Sequence, residues 1–402
     1  FYSAYKGDKK AMYKMNISTQ VSTLIFEDPD YDVDGSLIYS TKLNDVIGIH
    51  HANSPTGRIY WDESYQNFQT ALDKALPDTS NYLIDFSDNE ETYLLYTESD
   101  FIPGAYFLGN RPKKSLVMLF EQYPGLEDVT PSNHKLVSYT ARDGTEIEGY
   151  LTLPSETNGP IATILHPHGG PGAREYDGFD YWTSFFTNRG YAVFRPNFRG
   201  SSGYGKQFAE SQMQGWGLTM QDDITDATKW LIKENIADPE RICIVGASYG
   251  GYAAAMAAVK SPDLFQCAIS FAGVMDLERL VRKSRYFLNR KFVKKQIGND
   301  ENDLEARSPY HNAQHIKIPM LLLHGEDDRV VDVYQSREMF EELEDLNKDV
   351  NYVELKNGDH YLSIQRNRHR LFAEMDTFLK THLGVATASN EATAITAKIP
   401  SE

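Results

Sequence analysis

The feature that most constrains this chain is a tight turn at residues 246–251, with the sequence Gly-Ala-Ser-Tyr-Gly-Gly. A β-branched apolar run precedes the turn and a run of good helix formers follows it. Only glycines let a strand and a helix approach so closely, and the serine between them takes a strained backbone conformation. This strain exposes the Ser248 hydroxyl at the end of the sheet, above the N–H of Tyr249. The context therefore predicts a nucleophilic serine, and a turn that only links strand to helix is the alternative.

A G-x-S-x-G elbow predicts that an acid and then a histidine follow along the chain. One apolar strand run ends just before Asp327 and Asp328, and a later strand run ends just before the loop that holds His360. Both loops lie where catalytic groups of open α/β sheets belong. The gaps, 80 residues (328 − 248) and 32 residues (360 − 328), leave room for intervening βα units. We predict the triad Ser248, Asp328 and His360, with Asp327 as the fallback acid and solvated loop carboxylates as the alternative.

A further apolar strand run leads into the sequence His166-Pro-His168-Gly169-Gly170. An H-G-G loop after an early strand supplies one oxyanion N–H, paired with the N–H that follows the nucleophile. We therefore predict an oxyanion hole formed by Gly169, Gly170 and Tyr249. A metal site at His166 and His168 is the alternative, but no nearby cysteine or carboxylate cluster completes a tetrahedral ligand set.

These segments together resemble the catalytic domain of the prolyl oligopeptidase family. The resemblance runs from about Val137 to about Leu383, and the motif sequences most resemble those of the acylaminoacyl-peptidase branch. It implies a serine peptidase in which a β-propeller caps an α/β-hydrolase domain and limits access to short peptides. The motifs that carry it are His168-Gly169-Gly170-Pro171, Asn197-Phe198-Arg199-Gly200-Ser201-Ser202-Gly203-Tyr204-Gly205, Trp216-Gly217, the turn at 246–251 and His324-Gly325-Glu326-Asp327-Asp328.

Two positions depart from the pattern of the family. The family places an arginine two residues after the acid, whereas Arg329 directly follows Asp328 here. The spacing from His324 and the downstream Gln335 nevertheless favours Asp328 over Asp327. Related peptidases that use a tyrosine hydroxyl in the oxyanion hole carry it just before the two glycines, where this chain has a histidine. We therefore expect an oxyanion hole built from backbone N–H groups.

The resemblance also implies a substrate pocket for the residue before the scissile bond. Carried over by motif, its positions are Tyr249, Val274, Leu277 and Leu280, all apolar or aromatic. A desolvated cation in such a pocket costs several kcal/mol unless it is paired. We expect a preference for apolar residues over Lys or Arg, with simple loop packing as the alternative role of these side chains.

The two halves of the chain differ in their pattern of predicted strands and helices, which predicts two domains and a tail. Short alternating runs before residue 130 indicate antiparallel sheet, as in propeller blades, with one helix around Tyr65 to Leu76. Strands alternating with helices after residue 131 indicate a mostly parallel sheet. The predicted units are a partial β-propeller of two to three blades (1–130), an α/β-hydrolase domain (131–384) and a flexible tail (385–402). Since a closed propeller needs more blades and the chain begins at Phe1, we expect the C-terminal part of a longer enzyme; a small β-cap is the alternative.

The amino-acid composition limits the kinds of partner that this chain is expected to bind. With 40 basic and 57 acidic residues the formal net charge is −17, which argues against nucleic acid because phosphate binding needs a basic surface. No apolar run approaches the roughly 18 residues of a membrane helix. Cys243 and Cys267 lie in apparent core strands, which predicts buried apolar residues and neither a disulfide nor a nucleophile. We expect peptide substrates, no cofactor, no membrane and a soluble cytoplasmic or periplasmic protein; association into a homo-oligomer stays open.

Three functions remain compatible with these residues. A serine peptidase is favoured. A carboxylesterase would use the same triad, because esters pass through the same tetrahedral intermediate. An inactive propeller scaffold has no support in the sequence, since no member of the triad is missing. Relative kcat/KM values on aminoacyl anilides and short-chain esters would separate the first two.

Overall fold

The N-terminal part of the protein consists of small antiparallel sheets and one helix. The computed structural model describes residues 1–54, 57–126, 132–155, 157–286 and 288–384. In the described residues of this part, ten strands form three separate sheets, with the orders β1-β2-β3, β4-β5-β6 and β10-β9-β8-β7. Their bounds are β1 Tyr2–Lys6, β2 Lys9–Met15, β3 Ser22–Phe26, β4 Leu37–Ser40, β5 Asp45–His50, β6 Arg58–Tyr60, β7 Ser80–Phe86, β8 Thr92–Glu98, β9 Ala105–Asn110 and β10 Ser115–Glu121.

An eight-stranded sheet forms the second part, in the order β11-β12-β14-β13-β15-β16-β17-β18. The strands β11 and β12 run antiparallel to their neighbours, and all pairs from β14 to β18 are parallel. The ends of parallel strands therefore meet at one edge, where loops can bring side chains together. The bounds are β11 Ser132–Thr140, β12 Glu146–Pro154, β13 Ile161–Leu165, β14 Ala192–Pro196, β15 Ala237–Ala247, β16 Cys267–Phe271, β17 Met320–Gly325 and β18 Val350–Leu355.

Helices cover both faces of this sheet, as a parallel sheet requires. One core cluster includes Ile224 and Leu231 of α4 and Ala254 of α5. The other includes Phe186 of α2 and Leu371 of α10. The helices are α1 Glu63–Ala75, α2 Tyr181–Thr187, α3 Lys206–Glu210, α4 Thr219–Lys233, α5 Tyr249–Lys260, α6 Leu277–Lys283, α7 Arg290–Ile297, α8 Glu301–Ala306, α9 Tyr334–Asp345 and α10 Gln365–Leu383, with 3₁₀ turns at Pro262–Leu264, Ser284–Tyr286 and Tyr310–His315.

The predicted fold class is confirmed: an α/β-hydrolase sheet follows small antiparallel sheets of the propeller type. The sheet β7–β10 has the four strands of one propeller blade. The helix expected around Tyr65 to Leu76 is α1, which begins at Glu63 because Asp62 caps its N-terminus by accepting from the N–H groups of Ser64 and Tyr65. The expected boundary at 130/131 and the tail at 385–402 lie outside the described residues.

The two parts are joined through polar contacts to the loop that follows β14. The carboxylate of Asp32, which is 6% exposed, accepts from the N–H of Gly205 at 3.2 Å, and the N–H of Asp32 donates to the carbonyl of Gly203 at 2.8 Å. The ammonium group of Lys9 donates to the carbonyl of Tyr204 at 2.7 Å. Since buried polar groups are costly to leave unpaired, these contacts fix the N-terminal sheets against the loop at residues 203–205.

The expected burial of the two cysteines is confirmed, but the expectation that they form no disulfide was wrong. The structure joins Cys243 and Cys267 as a disulfide. They are direct partners in the parallel register of β15 and β16, with side chains on the same face, and both are fully buried. Two separate strand runs do not reveal which residues face each other, because the register is set by the assembled sheet.

In the parts of the chain that the structure describes, no helix is both long enough and apolar enough to cross a membrane.

The approach of β15 to α5 generates a stability prediction. A Cβ atom at Gly246 would lie 2.3 Å from the backbone carbon and oxygen of Gly250, so Gly246→Ala should lower the free energy of unfolding by about 3 kcal/mol or more. Gly144→Ala is the matched control, because its Cβ meets no atom within 4 Å and its positive φ costs only about 1 kcal/mol. Urea unfolding checks both variants, and equal losses would contradict the close-approach argument.

Candidate active site

Ser248 lies at the turn between β15 and α5 with φ 57° and ψ −119°, a region that side-chain-bearing residues rarely occupy. Its N–H donates to the carbonyl of Phe271 at 2.9 Å, which ties the turn to the neighbouring strand. A Cβ at Gly250 would lie 2.1 Å from the carbonyl oxygen of Pro167, and one at Gly251 would lie 2.6 Å from the hydroxyl of Ser270. Glycine is therefore required at both positions, and the strained turn is held from several sides.

Asp328 and His360 are paired at the ends of β17 and β18. The Nδ1 of His360 lies 2.6 Å from Oδ2 of Asp328, whose side chain is fully buried. A carboxylate can only accept, so Nδ1 carries the proton and Nε2 is the free basic nitrogen. This tautomer is the one that a general base needs to take a proton from a serine hydroxyl.

The environment of Asp328 keeps this carboxyl ionised. Burial by itself would raise the pKa of Asp328, but hydrogen bonds from His324 and His360 hold that pKa well below its usual range. The N–H groups of Val330 and Val331 also donate to Oδ1, at 2.7 and 2.9 Å. Four donors around one carboxylate favour its charged form, and they fix its orientation towards His360.

His324 is a contributor that the sequence did not assign. It is fully buried, and its Nε2 lies 3.0 Å from the carbonyl of Val331 and 3.4 Å from Oδ2 of Asp328. Its Nδ1 lies 2.8 Å from the hydroxyl of Ser336. Because a carbonyl only accepts, Nε2 carries the proton and Nδ1 accepts from Ser336. The signal for it in the sequence was the position of His324 near the end of the strand that leads to the acid.

The other acids of these loops point elsewhere. Asp327 is exposed, and its N–H donates to the carbonyl of Gly358. The carboxylate of Asp359 accepts from the N–H groups of Tyr361 and Ser363 and so shapes its own loop. This arrangement supports Asp328, and not the fallback Asp327, as the acid beside His360.

The loop after β13 passes directly beside the elbow. A Cβ at Gly169 would lie 3.5 Å from Cβ of Ser248, so the two backbones are in near contact. Gly170 has φ 121°, a conformation open to glycine. Tyr249 is the first residue of α5, and the first N–H groups of a helix have no acceptor within the helix. The predicted oxyanion residues Gly169 and Tyr249 thus belong to two segments that both adjoin Ser248.

The His168 side chain is engaged away from the nucleophile. Its Nδ1 lies 2.7 Å from the carbonyl of Gly169, and its Nε2 lies 2.8 Å from the hydroxyl of Ser201. The ring stacks on Phe198 with 4.3 Å between centroids, and burial lowers its pKa. These contacts occupy both ring nitrogens of His168, so the backbone N–H groups of the loop are the candidate donors to an oxyanion.

The second histidine of this loop is also held by the protein. The Nδ1 of His166 lies 2.6 Å from the carbonyl of Val245, and the ring stacks on Trp182 at 5.4 Å. Among the residues that the structure describes, no group of three His, Cys, Asp or Glu side chains is arranged to hold a metal ion. The contacts of His166 and His168 thus have structural explanations.

The structure places the residues assigned to the substrate pocket in two different environments. Tyr249, Val274 and Leu277 are at most 3% exposed and belong to the main core cluster, so they line no open space in this conformation. Leu280 instead borders a cavity of about 50 Å³ beside Asp328. The packing interpretation therefore fits Val274 and Leu277, because burial against the core follows from their position directly after β16.

A larger cavity, of about 240 Å³, is lined by His360, whereas the small cavity is lined by Asp328. The walls of the larger cavity also include Trp182, Phe271 and Tyr361. Sequence reasoning missed these aromatic residues because three different segments contribute them. Only the folded sheet brings the start of α2, the end of β16 and the His360 loop together.

Comparisons with known proteins agree with this geometry. A sequence profile described as the prolyl oligopeptidase family matches residues 178–386, more than half of the chain. The chain belongs to the prolyl oligopeptidase family. The family predicted from the motifs is thereby confirmed, and serine peptidase chemistry is typical of that family.

Individual relatives extend the similarity beyond the profile. Dipeptidyl aminopeptidase BIII of Pseudoxanthomonas mexicana is 27% identical over 93% of this chain and 56% of its own length. Dipeptidyl peptidase family member 6 of Caenorhabditis elegans is 29% identical over 77% of this chain and 44% of its own. The chain thus spans about half the length of these curated relatives. The acylaminoacyl peptidase of Pyrococcus horikoshii shares the fold, with a TM-score of 0.72, 23% identity and coverage of 95% of this chain and 60% of that structure.

The pairing of Asp328 with His360 predicts the effect of two neighbouring substitutions. Asp328→Asn should lower kcat by roughly 10⁴-fold, because the amide favours the wrong tautomer of the histidine. Asp327→Asn, the matched control, should change kcat by less than about threefold, since that exposed carboxylate makes no contact with His360. Steady-state kinetics on a short peptide substrate checks both, and the reverse ranking would show that the acid is Asp327.

Proposed function

We propose that this protein is a serine peptidase that hydrolyses short peptides through an acyl-enzyme on Ser248, of the oligopeptidase, aminopeptidase or acylaminoacyl-peptidase type. The observation that carries the proposal is the buried pair of Asp328 and His360, with Nδ1 of the histidine 2.6 Å from the carboxylate. This pair lies at the carboxyl ends of β17 and β18, on the same edge of the sheet as the strained Ser248 elbow at the end of β15. Membership of the family and the peptidase names of its relatives support the same conclusion.

In the first half of the proposed reaction, Nε2 of His360 takes the proton of the Ser248 hydroxyl as the oxygen attacks the carbonyl carbon of the substrate. The negative charge that develops on the carbonyl oxygen is stabilised by the N–H groups of Tyr249 and of the loop at Gly169 and Gly170. The ionised Asp328 stabilises the imidazolium that forms. The C–N bond then breaks, and His360 gives its proton to the departing amine.

In the second half, water attacks the ester of the acyl-enzyme while His360 again accepts a proton. The tetrahedral intermediate uses the same backbone donors, and its collapse returns the proton to Ser248 and releases the acid. Since no step needs another group, we propose that the reaction requires no cofactor. The net charge of −17 gives no support to nucleic acid as a partner.

Ester hydrolysis by the same residues is an expected side activity and not a separate function, because an ester has a better leaving group and uses the same intermediate. The backbone strain at the Ser248 turn disfavours the alternative of an inactive scaffold. Strain at Ser248 reduces stability, and proteins retain such strain chiefly at functional sites.

The nucleophile is tested by Ser248→Ala. A fluorophosphonate probe should label the native protein and not the variant, and kcat should fall by about 10⁶-fold, because no other group can form the acyl-enzyme. Ser202→Ala is a matched control in a nearby loop and should keep both labelling and turnover. Labelling that persists in Ser248→Ala would assign the nucleophile elsewhere.

The acyl side of the site generates a prediction about specificity. The small cavity at Leu280 is also lined by Val330 and Val331, together with the cations Arg279, Lys283 and Arg329. Its two carboxylates are already paired, Asp328 with His360 and Asp332 with Lys283. A Lys or Arg side chain there would meet like charges and no free carboxylate. Anilides of Phe, Leu or Ala should therefore be cleaved with a kcat/KM at least about tenfold higher than anilides of Lys or Arg. The opposite order would exclude this cavity as the pocket for the residue before the scissile bond.

A further inference from the structure

The 240 Å³ cavity is separated from the small cavity at Leu280 by the catalytic pair. Asp328 lines the small cavity, and His360 lines the large one. The two side chains are joined by the 2.6 Å hydrogen bond between them. A substrate bound across Ser248 would therefore have one space on each side of this pair.

The position of His360 indicates which half of a substrate the large cavity can hold. The departing amine must lie within hydrogen-bond reach of Nε2 of His360, because this nitrogen protonates it. Nδ1 is occupied by Asp328, so Nε2 is the nitrogen on the other side of the ring. Tyr361 and Leu362, which directly follow His360, continue the wall of the large cavity, and Ala247 and Gly169 border it beside the nucleophile. The residue after the scissile bond is therefore the part of the substrate next to this space.

The walls of the large cavity are mainly aromatic and are fixed by packing. Trp182, on α2, is 7% exposed and lies 5.4 Å from the ring of Phe372 and 6.4 Å from that of Phe271. Tyr361 is 74% exposed and contributes the solvent-exposed edge of the cavity. Such a space gains free energy by covering apolar surface of a ligand.

Two polar groups limit what the cavity accepts. His166 also lines it, and because its Nδ1 donates to the carbonyl of Val245, its Nε2 is an acceptor. The Glu175 carboxylate is a further lining group, and Arg195 pairs with it at 2.7 Å. Both groups can accept a hydrogen bond and neither supplies an unpaired cation. The other donors in the wall, such as the Tyr361 hydroxyl, are neutral, so the carboxylate of an acidic substrate residue would lose its hydration without gaining a cationic partner.

We propose that this cavity is the binding site for the residue after the scissile bond, and that it selects a large apolar or aromatic side chain there and disfavours Asp and Glu. The inference rests on the proposed peptidase activity at Ser248. It concerns the leaving half of the substrate and is independent of the preference on the acyl side.

Partitioning of the acyl-enzyme tests the site directly. An ester substrate acylates Ser248, and an added amino-acid amide then competes with water for the same carbonyl carbon. The amine forms the new C–N bond, His360 takes its proton, and the Ser248–acyl bond breaks to release a peptide. At equal concentrations, phenylalanine amide should intercept the acyl-enzyme about tenfold more often than glycine amide, and aspartic acid amide less often than glycine amide.

Tyr361→Ala should reduce the preference for phenylalanine amide over glycine amide to about threefold or less, because the edge of the cavity is removed. Tyr361→Phe keeps the ring and should retain the preference. Tyr286→Ala is the matched control: Tyr286 is 72% exposed, lies outside the cavity and should leave the ratio unchanged. Peptides that differ only in the residue after the scissile bond should give the same ranking in kcat/KM.

The outcomes separate this inference from the function on which it rests. Ester turnover and fluorophosphonate labelling with equal interception by the three amides would overturn the leaving-group site and leave the peptidase proposal intact. A preference that Tyr361→Ala and Tyr286→Ala alter equally would also overturn it. Absence of both labelling and turnover in the native protein would instead overturn the proposed function.

Discussion

The close approach of strand β15 to helix α5 is the constraint on which the rest of the site depends. Gly246, Gly250 and Gly251 each lie where a side chain would collide with backbone or with a buried hydroxyl. Their small size lets Ser248 take φ 57° at the end of the sheet. The same contact brings the carbonyl of Pro167 against α5, and so the loop at residues 167–170 is placed by the packing that strains the serine. A single steric condition thus positions the proposed nucleophile and the proposed oxyanion loop together.

Electrostatic interactions set the charge of Asp328 and the tautomer of His360. Asp328 is buried and would be neutral without its donors, but His324, His360 and two backbone N–H groups keep its pKa low. An ionised carboxylate in a buried place stabilises an imidazolium more strongly than one in water would. The tautomer of His360 follows from this, as does the direction in which Nε2 can act. The chemistry therefore depends on a cluster of hydrogen bonds and not on the triad residues alone.

The N-terminal sheets contribute to the site at a distance. Asp32 and Lys9 contact the loop at 203–205, and the preceding part of that loop supplies the Ser201 hydroxyl beside His168. Since His168 directly precedes Gly169, the orientation of the proposed oxyanion loop is linked through a short chain of contacts to the first sheet and to the segment that follows it. These contacts join the two parts of the structure beside the proposed site.

The sequence by itself determined the elements that depend on local rules. The glycines around Ser248 specify the elbow because only glycine avoids the collisions there, and the order of strand ends fixed Asp328 and His360 as candidates. Alternation of apolar residues predicted the antiparallel sheets, and strand runs alternating with helical runs predicted the parallel one. What the tertiary structure decided were relations between distant segments. The pairing of Cys243 with Cys267, the burial of Val274 and Leu277, the support of Asp328 by His324, and the aromatic cavity at Trp182 and Tyr361 all depend on which strands become neighbours. A linear pattern carries no information on that register, because it is set when the whole sheet packs.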